Sequence, residues 1–273
     1  LKRLGVEDVI CFTYGKKGSK EVKISQQVAE ALGYRWYFVE YTEEKWYDCY
    51  HSDEMQRYLK YGGNLVSLPH VQDFLAVKEL KEEGKIPGNA VIVPGHTGDM
   101  ISGGHIPLDY DQSQVYTFGK FLEDSLKKHY NLWNWDKAEL GSFFEERVRK
   151  CVGNISVHDN ESCANAIELF DFNERQAKFI VNSVRIYEFF GSEWRIPLWD
   201  TELIDFFLQV PLAMRIKQAL YREYAMEKLF VDSLETLQNC DCTTNIQNYH
   251  RNNFMFDVKF FISKSPLLKK MGR

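Results

Sequence analysis

No run of about 18 apolar residues occurs in the chain, so a membrane-spanning helix is not expected. The opening residues, Leu1-Lys2-Arg3-Leu4-Gly5, hold neither the apolar stretch of a secretory signal nor an initiator methionine. Positive charge is not in excess: 34 Lys+Arg stand against 39 Asp+Glu, a net charge of −5. A sequence-independent nucleic-acid binder needs a basic face to neutralise phosphates, so that partner is disfavoured. Cysteine is scattered, as Cys11, Cys49, Cys151, Cys163, Cys240 and Cys242. Of these, Cys240 and Cys242 are closely spaced, but no second Cys or His pair at ligand spacing accompanies them. Neither a disulfide framework nor a zinc site is therefore expected, and reduced thiols in a cytoplasmic protein are. The Walker A lysine loop, G-x-G-x-x-G, H-E-x-x-H and G-x-S-x-G are all missing, as are internal repeats and low-complexity tracts.

What is present is the composition of a folded protein. The 273 residues are 44% hydrophobic and 27% charged, enough for one large or two modest domains. The first third alternates strand and helix signals. Asp8–Tyr14 is a short β-rich run ending at Gly15. Ser19 is placed to cap a helix whose apolar face is Val22, Ile24, Val28, Ala29 and Leu32, and Gly33 to stop it. Arg35–Tyr41 reads as a second strand, and Thr42 as the cap of a helical stretch to about Tyr61. Another helix is expected from about Pro69 to Glu83. Ala90-Val91-Ile92-Val93 is uniformly apolar and reads as a third strand buried on both faces. From about residue 111 the strand signal fades, and amphipathic stretches at Phe118–Tyr130, Phe143–Val152, Asn173–Phe190, Thr201–Val210 and Ala219–Phe230 take over.

Strands alternating with helices predict an α/β fold: a Rossmann-like parallel sheet flanked by helices over residues 1–110, with a mainly helical region over 111–273 packed on it. Leu1–Leu4 reads as the last turn of a helix closed by Gly5. A strand, a turn and the start of that helix are therefore expected upstream.

Ligands of parallel sheets sit at the carboxyl ends of the strands, which directs attention to the loops there. The strongest local signal is Val93-Pro94-Gly95-His96-Thr97-Gly98-Asp99-Met100-Ile101-Ser102-Gly103-Gly104-His105. Its glycines let backbone N–H groups approach a ligand. Asp99 is its only carboxylate and suits Mg²⁺ on a polyphosphate. His96 is a candidate general base. A turn capped by Thr97 or Asp99, with a structural histidine, is the competing reading. Asp200, in Arg195–Leu203, reads as a helix N-cap. Arg215, Lys217 and Arg222 either reach a phosphate or form a solvated helix face. His51, His70, His129, His158 and His250 show no paired spacing and read as surface or packing residues.

Taken in order, these pieces resemble the synthetase domain of the asparagine synthetase family, which includes β-lactam synthetase and asparagine-synthase-like proteins of bacterial polysaccharide biosynthesis clusters. Val9–Gly15 and the helix of Glu21–Gly33 resemble the family's second strand and helix. Gly95–Asp99 with Gly103-Gly104 resembles its G-[ED]-G-x-D-E-x-x-G-G loop. Ile196-Pro197-Leu198-Trp199-Asp200, with Glu202-Leu203 and later Arg222-Glu223, resembles its P-F-L-D segment and R-E-A helix. The resemblance implies an adenine-nucleotide α-hydrolase-like fold. It also implies an ATP- and Mg²⁺-dependent amide-forming ligase or amidotransferase, which activates a carboxylate as an acyl adenylate and releases pyrophosphate. By position it places the magnesium–pyrophosphate on Asp99, the nucleotide against Pro94, Gly95 and His96, and the adenine or ribose near Thr13, Tyr14 and Gly15. His96 and Lys217 become the catalytic candidates, Lys217 standing in for the family's later lysine.

The departures are specific. His96 and Met100 replace acidic residues of the motif, and the pyrophosphate-cradling S-G-G-x-D-S loop is not among these residues, being expected just before Leu1. The expected acceptor is therefore a carboxylate other than the usual one, or a sugar-linked one, with ammonia from a separate glutaminase or other source. Neither nucleic acid nor membrane is an expected partner. The alternative is a degenerate, non-catalytic nucleotide-binding or scaffold module. An RNA- or sulfur-transfer member of the same fold group fits less well, given a pI of about 5.9 and no catalytic cysteine arrangement.

Overall fold

The computed structural model describes residues 1–107, 110, 116–225 and 228. It is mixed α/β and mostly helical, and these residues fall into two compact units. Among them no helix is long and apolar enough to cross a membrane.

Most of the first βαβ element forms one unit. Strand β1 (Ile10–Gly15) leads through helix α1 (Lys20–Leu32) to strand β2 (Arg35–Glu40), and the strands pair. The local chemistry is as the sequence implies. Ser19 accepts a hydrogen bond from the Val22 N–H, and Gly33 closes the helix at φ 72. Gly5, also at φ 72, closes a short 3₁₀ turn over Lys2–Leu4.

The second unit begins with α2 (Glu43–His51), α3 (Asp53–Gly63), α4 (Phe74–Glu82), β3 (Val91–Ile92) and α5 (Gly98–Ile101). Thr42 caps α2, but the helix expected to run to Tyr61 breaks at Ser52, whose extended backbone (ψ 148) and hydroxyl start α3 afresh. There follow α6 (Phe118–His129), α7 (Lys137–Val152), α8 (Asn160–Asp171), a π-helical segment (Phe172–Ile180), a 3₁₀ turn (Val181–Val184) and α9 (Arg185–Phe189). Strand β4 (Glu193–Trp194), α10 (Thr201–Leu208), α11 (Leu212–Arg215) and α12 (Ala219–Tyr224) complete it.

The third strand needs correction. It is shorter than expected, and Val91 and Val93 are 46% and 50% exposed, so it is not buried on both faces. It pairs in parallel with β4, Val91 opposite Glu193 and Ile92 opposite Trp194. Two residues carry too little β signal to be read against helical surroundings, which is why β4 went unread. The described strands thus make two small pairs rather than one continuous sheet.

Helices α6, α7 and α8 bury Phe121, Val148, Cys163, Ile167 and Phe170 in a common core. A second cluster joins Tyr58 of α3, Phe74 of α4 and Phe189 of α9. Among the described residues Cys11, Cys49, Cys151 and Cys163 are free thiols. Cys240, Cys242, His250 and the end of the Ala219–Phe230 stretch lie outside the described residues.

Candidate functional site

The loop after β3 is built by close backbone contacts. Thr97 sits at φ 75, in the position of the second glycine of the motif G-[ED]-G-x-D-E. A left-handed backbone is what glycine supplies there without strain. Thr97 caps nothing, and its hydroxyl is buried without a partner among the described residues. Gly103, at φ 91, lies under the Arg215 carbonyl: an added Cβ would stand 2.3 Å from that oxygen. A Cβ on Gly104 would stand 2.7 Å from the Asp99 carbonyl oxygen, and one on Gly98 would be 2.6 Å from Leu198 Cδ1. The Gln218 amide donates to Ser102 Oγ at 2.7 Å. The loop, the Ile196–Asp200 segment and the turn before α12 are thus folded onto one another.

Asp99 points one carboxylate oxygen at the Met100 N–H (2.9 Å) and the other at His105 Nε2 (3.0 Å). The His105 Nδ1 meets Asp171 at the end of α8, so the imidazole bridges two carboxylates. Both ring nitrogens then act as donors, which is the charged form. Burial opposes that charge, but the hydrogen bonds to Asp171 and Asp99 outweigh it and raise the His105 pKa above the ordinary histidine value. Burial likewise pushes Asp99 up. The His105 hydrogen bond and charge, with the charge of Arg175, overcome it and hold the carboxyl well below the usual range. The Asp99 side chain is still 53% exposed, so the direct bond from His105 decides the direction. Asp171 is lowered to about 2 by the same partner, against the opposing effect of its burial. His129 lies 3.9 Å from Asp171 and is pushed down to about 4, chiefly by burial. Lys128 Nζ donates to the His105 carbonyl at 3.1 Å.

His96 lies apart from this bridge. Its ring stands against Ser183 Oγ, 3.2 Å from Nδ1, and edge-to-face against His70. Burial lowers its pKa, with Asp73 and Asp99 pulling the other way. Pro94 is half-buried and Gly95 exposed, with nothing within 4 Å of the Cβ that Gly95 lacks.

The other nucleotide candidates are engaged with protein groups. Thr13 Oγ1 donates to Ser25 Oγ at 2.7 Å and accepts from the Trp36 indole. The Tyr14 hydroxyl donates to buried Asp73, and its ring stacks on Tyr41 at 5.0 Å. Gly15, at φ 136, accepts the Tyr41 N–H through its carbonyl. Lys217 is exposed, at φ 58, beside Gln218, which holds Ser102. Arg215 neither reaches a phosphate nor lies on a solvated face. It is 2% exposed and donates to Glu168, to Asn165 Oδ1 at 2.9 Å and to the Val210 carbonyl at 2.8 Å. Burial pushes Glu168 up to about 7, with Arg215 pulling it back.

Sequence reading assigned no role to His105, Asp171, Asp73 or Ser183. Asp171 carried a signal, a carboxylate in the buried stretch Phe170-Asp171-Phe172. His105 ends the loop segment itself, but its bond to Asp171, like the approach of Ser183 and Asp73 to His96, is set only by the tertiary fold. Among the described residues no cluster of three or more His, Cys, Asp or Glu side chains forms a cation cage. Mg²⁺ held through substrate phosphates needs only one or two carboxylates, and half-exposed Asp99 fits that use. The unpartnered Thr97 hydroxyl and the open space at Gly95 also fit a ligand resting on this loop.

The model for the family described as Asparagine synthase matches residues 1–230 of the chain. No curated protein matches it.

Proposed function

The chain belongs to the asparagine synthase family, and on that premise we propose that it is the synthetase part of an ATP-dependent amide-forming enzyme. In this reading a carboxylate is activated as an acyl adenylate with release of pyrophosphate, and an amine then displaces AMP. The nucleotide lies against Pro94, Gly95 and His96 at the carboxyl end of β3, with Tyr14 and Gly15 toward its adenine or ribose. The acceptor is a small or sugar-linked carboxylate, and ammonia comes from a separate source.

The observation that carries the proposal is the joint packing of the motif pieces: Gly98 against Leu198, Gly103 under Arg215, and Ser102 held by Gln218. Mg²⁺, when bound, neutralises charge on the phosphates. Asp99 is the residue to hold it, because its carboxylate is ionised across the working pH range and half exposed. His105 orients that carboxylate from behind, fixed in turn by Asp171. His96, kept neutral by burial, accepts a proton from the attacking amine. A neutral imidazole and the carboxylate of the family motif share this capacity, so the replacement at position 96 preserves proton acceptance. Lys217, beside the Gln218–Ser102 contact, is the cation nearest in sequence to that anchor.

ATP–pyrophosphate exchange over a panel of carboxylates tests the proposal. We expect Mg²⁺-dependent exchange that Asp99→Asn lowers at least about a hundredfold, with an unchanged circular-dichroism spectrum. Mg²⁺-dependent ATP binding that Asp99→Asn leaves untouched would remove Asp99 from the site. Binding with no exchange for any carboxylate favours the scaffold reading, which the replacement of an acid by Met100 also supports.

A further inference from the structure

The helical stretch from Asp171 to Ser183 turns one face to the loop after β3 and its neighbours. Asp171 meets His105, Phe179 packs on His70 with ring centroids 5.4 Å apart, and Ser183 stands against His96. Residues four apart in a helix are neighbours on one face. Arg175, four after Asp171 and four before Phe179, falls on that face. The residues between turn elsewhere. Asn173 donates to the Cys151 carbonyl of α7, and Glu174 pairs with Lys178 at 2.5 Å. The acid next to Arg175 in sequence is therefore already taken.

Arg175 is half-buried, yet its guanidinium donates no hydrogen bond and forms no ion pair among the described residues. A guanidinium stays charged at any working pH. A partly desolvated charge with no partner is costly, and folded proteins leave few such donors unmatched. The charge of Arg175 attracts Asp99 and Asp171 and repels Lys128. Both carboxylates are already bonded to His105. Glu168, a further acid that acts on Lys128, is paired with Arg215. Three cations, Arg175, Lys128 and protonated His105, thus stand against two carboxylates, Asp99 and Asp171, so the charge left over is positive. Asp99 and Arg175 attract each other without forming an ion pair. The Thr97 hydroxyl, in the same loop as Asp99, is likewise buried with no partner.

We propose that Arg175 is an anion receptor of this site, its guanidinium taking oxygens of a polyphosphate whose metal ion rests on Asp99. This rests on the reading of Asp99 as the carboxylate for Mg²⁺. A polyphosphate has oxygens enough to face a metal ion on one side and a guanidinium fork on another. That double demand fits an acid and a base that lie in one site without meeting. In the activation step the carboxylate oxygen bonds to the α-phosphorus, and the bond from that phosphorus to the bridging oxygen breaks. Its electron pair departs with pyrophosphate, and no proton moves. Negative charge grows on the departing group, where a fixed guanidinium stabilises it.

The test is calorimetric titration of the whole chain with inorganic pyrophosphate in the presence of Mg²⁺, together with melting temperatures recorded with and without pyrophosphate. We expect Arg175→Met to weaken binding about ten- to a hundredfold. Arg175→Lys should lose less, because it keeps the charge and gives up only the fork. Lys178→Met, less than a turn away and paired with Glu174, should change nothing. Without pyrophosphate, Arg175→Met should melt no lower than the unsubstituted protein, since the charge it removes has no partner, and the rise that pyrophosphate produces should shrink. Equal affinity in Arg175→Met and the unsubstituted protein, an equal loss in Lys178→Met, or no binding at all overturns the proposal. So does a lower melting temperature in Arg175→Met with the pyrophosphate-induced rise retained. A raised KM for an acceptor carboxylate at unaltered pyrophosphate affinity moves Arg175 to the acceptor and overturns the phosphate assignment. Binding that Arg175→Met weakens but Asp99→Asn leaves intact overturns the placing of Mg²⁺ on Asp99 and leaves Arg175 as the receptor. Binding weakened in Arg175→Met with no exchange for any carboxylate overturns the enzymatic reading alone.

Discussion

At the scale of single residues, the site is a set of buried charges that fix one another. Asp171 is fully buried and would be neutral on burial alone. His105 reverses this and brings its pKa to about 2. The sign of the consequence follows from linkage. A carboxyl whose folded pKa lies below its unfolded value of about 3.9 adds stability above that pH, and the contribution is lost as the pH falls toward 2. We expect the acid limb of a melting-temperature profile to flatten in Asp171→Asn, with a loss of about 2 kcal/mol near neutral pH. An acid limb identical to that of the unsubstituted protein would show that Asp171 does not titrate in this way. His105 acts in the opposite direction: its pKa is raised, so its contribution is full below the unfolded histidine value and is lost as the pH rises through the folded one.

At the scale of elements, short segments carry the site. Helix α5 is a single turn, yet it presents Asp99 while burying Met100 and Ile101. Helix α10 depends on its first residue: the Asp200 carboxylate accepts the Leu203 N–H at 3.0 Å, and none of the residues of α10 is buried. A helix with so little burial relies on its cap. Asp200→Ala should destabilise it by about 1 kcal/mol, seen as faster amide exchange over residues 203–208. Because Leu198 packs on Gly98, the same variant should also raise exchange at Ile101 and Ser102, whose N–H groups donate to the Thr97 and Gly98 carbonyls; protection unchanged there would separate the cap from the loop. The cap was legible in the sequence, as were Ser19, Thr42 and Gly33, because each is a bond within one turn of chain. The break at Ser52 was not, since one capping serine inside an amphipathic stretch does not interrupt its periodicity.

At the scale of the whole chain, Arg215 is the brace. Its guanidinium joins Glu168 and Asn165 of α8 to the Val210 carbonyl, and its own carbonyl covers Gly103 in the loop. Removing one partner leaves the other charge buried and uncompensated, so Arg215→Ala should cost about 3–5 kcal/mol in urea unfolding. Arg215→Met combined with Glu168→Gln should recover much of that loss. A double variant no more stable than Arg215→Ala would mean that the backbone contact at Gly103, and not the ion pair, dominates.

The sequence by itself determined the family, through the loop at Gly95–Gly104 and the Ile196–Asp200 segment, and it determined the capped helices. Those features are local: spacing, caps and periodicity act over a few residues, so they can be read in order along the chain. Only the tertiary structure decided that Arg215 is buried rather than solvated, that β3 pairs with a two-residue strand about a hundred residues later, and that Asp171 and Ser183 stand against the loop. Each of these depends on a partner distant in sequence, and charge burial is set by such partners rather than by the residue's own neighbours.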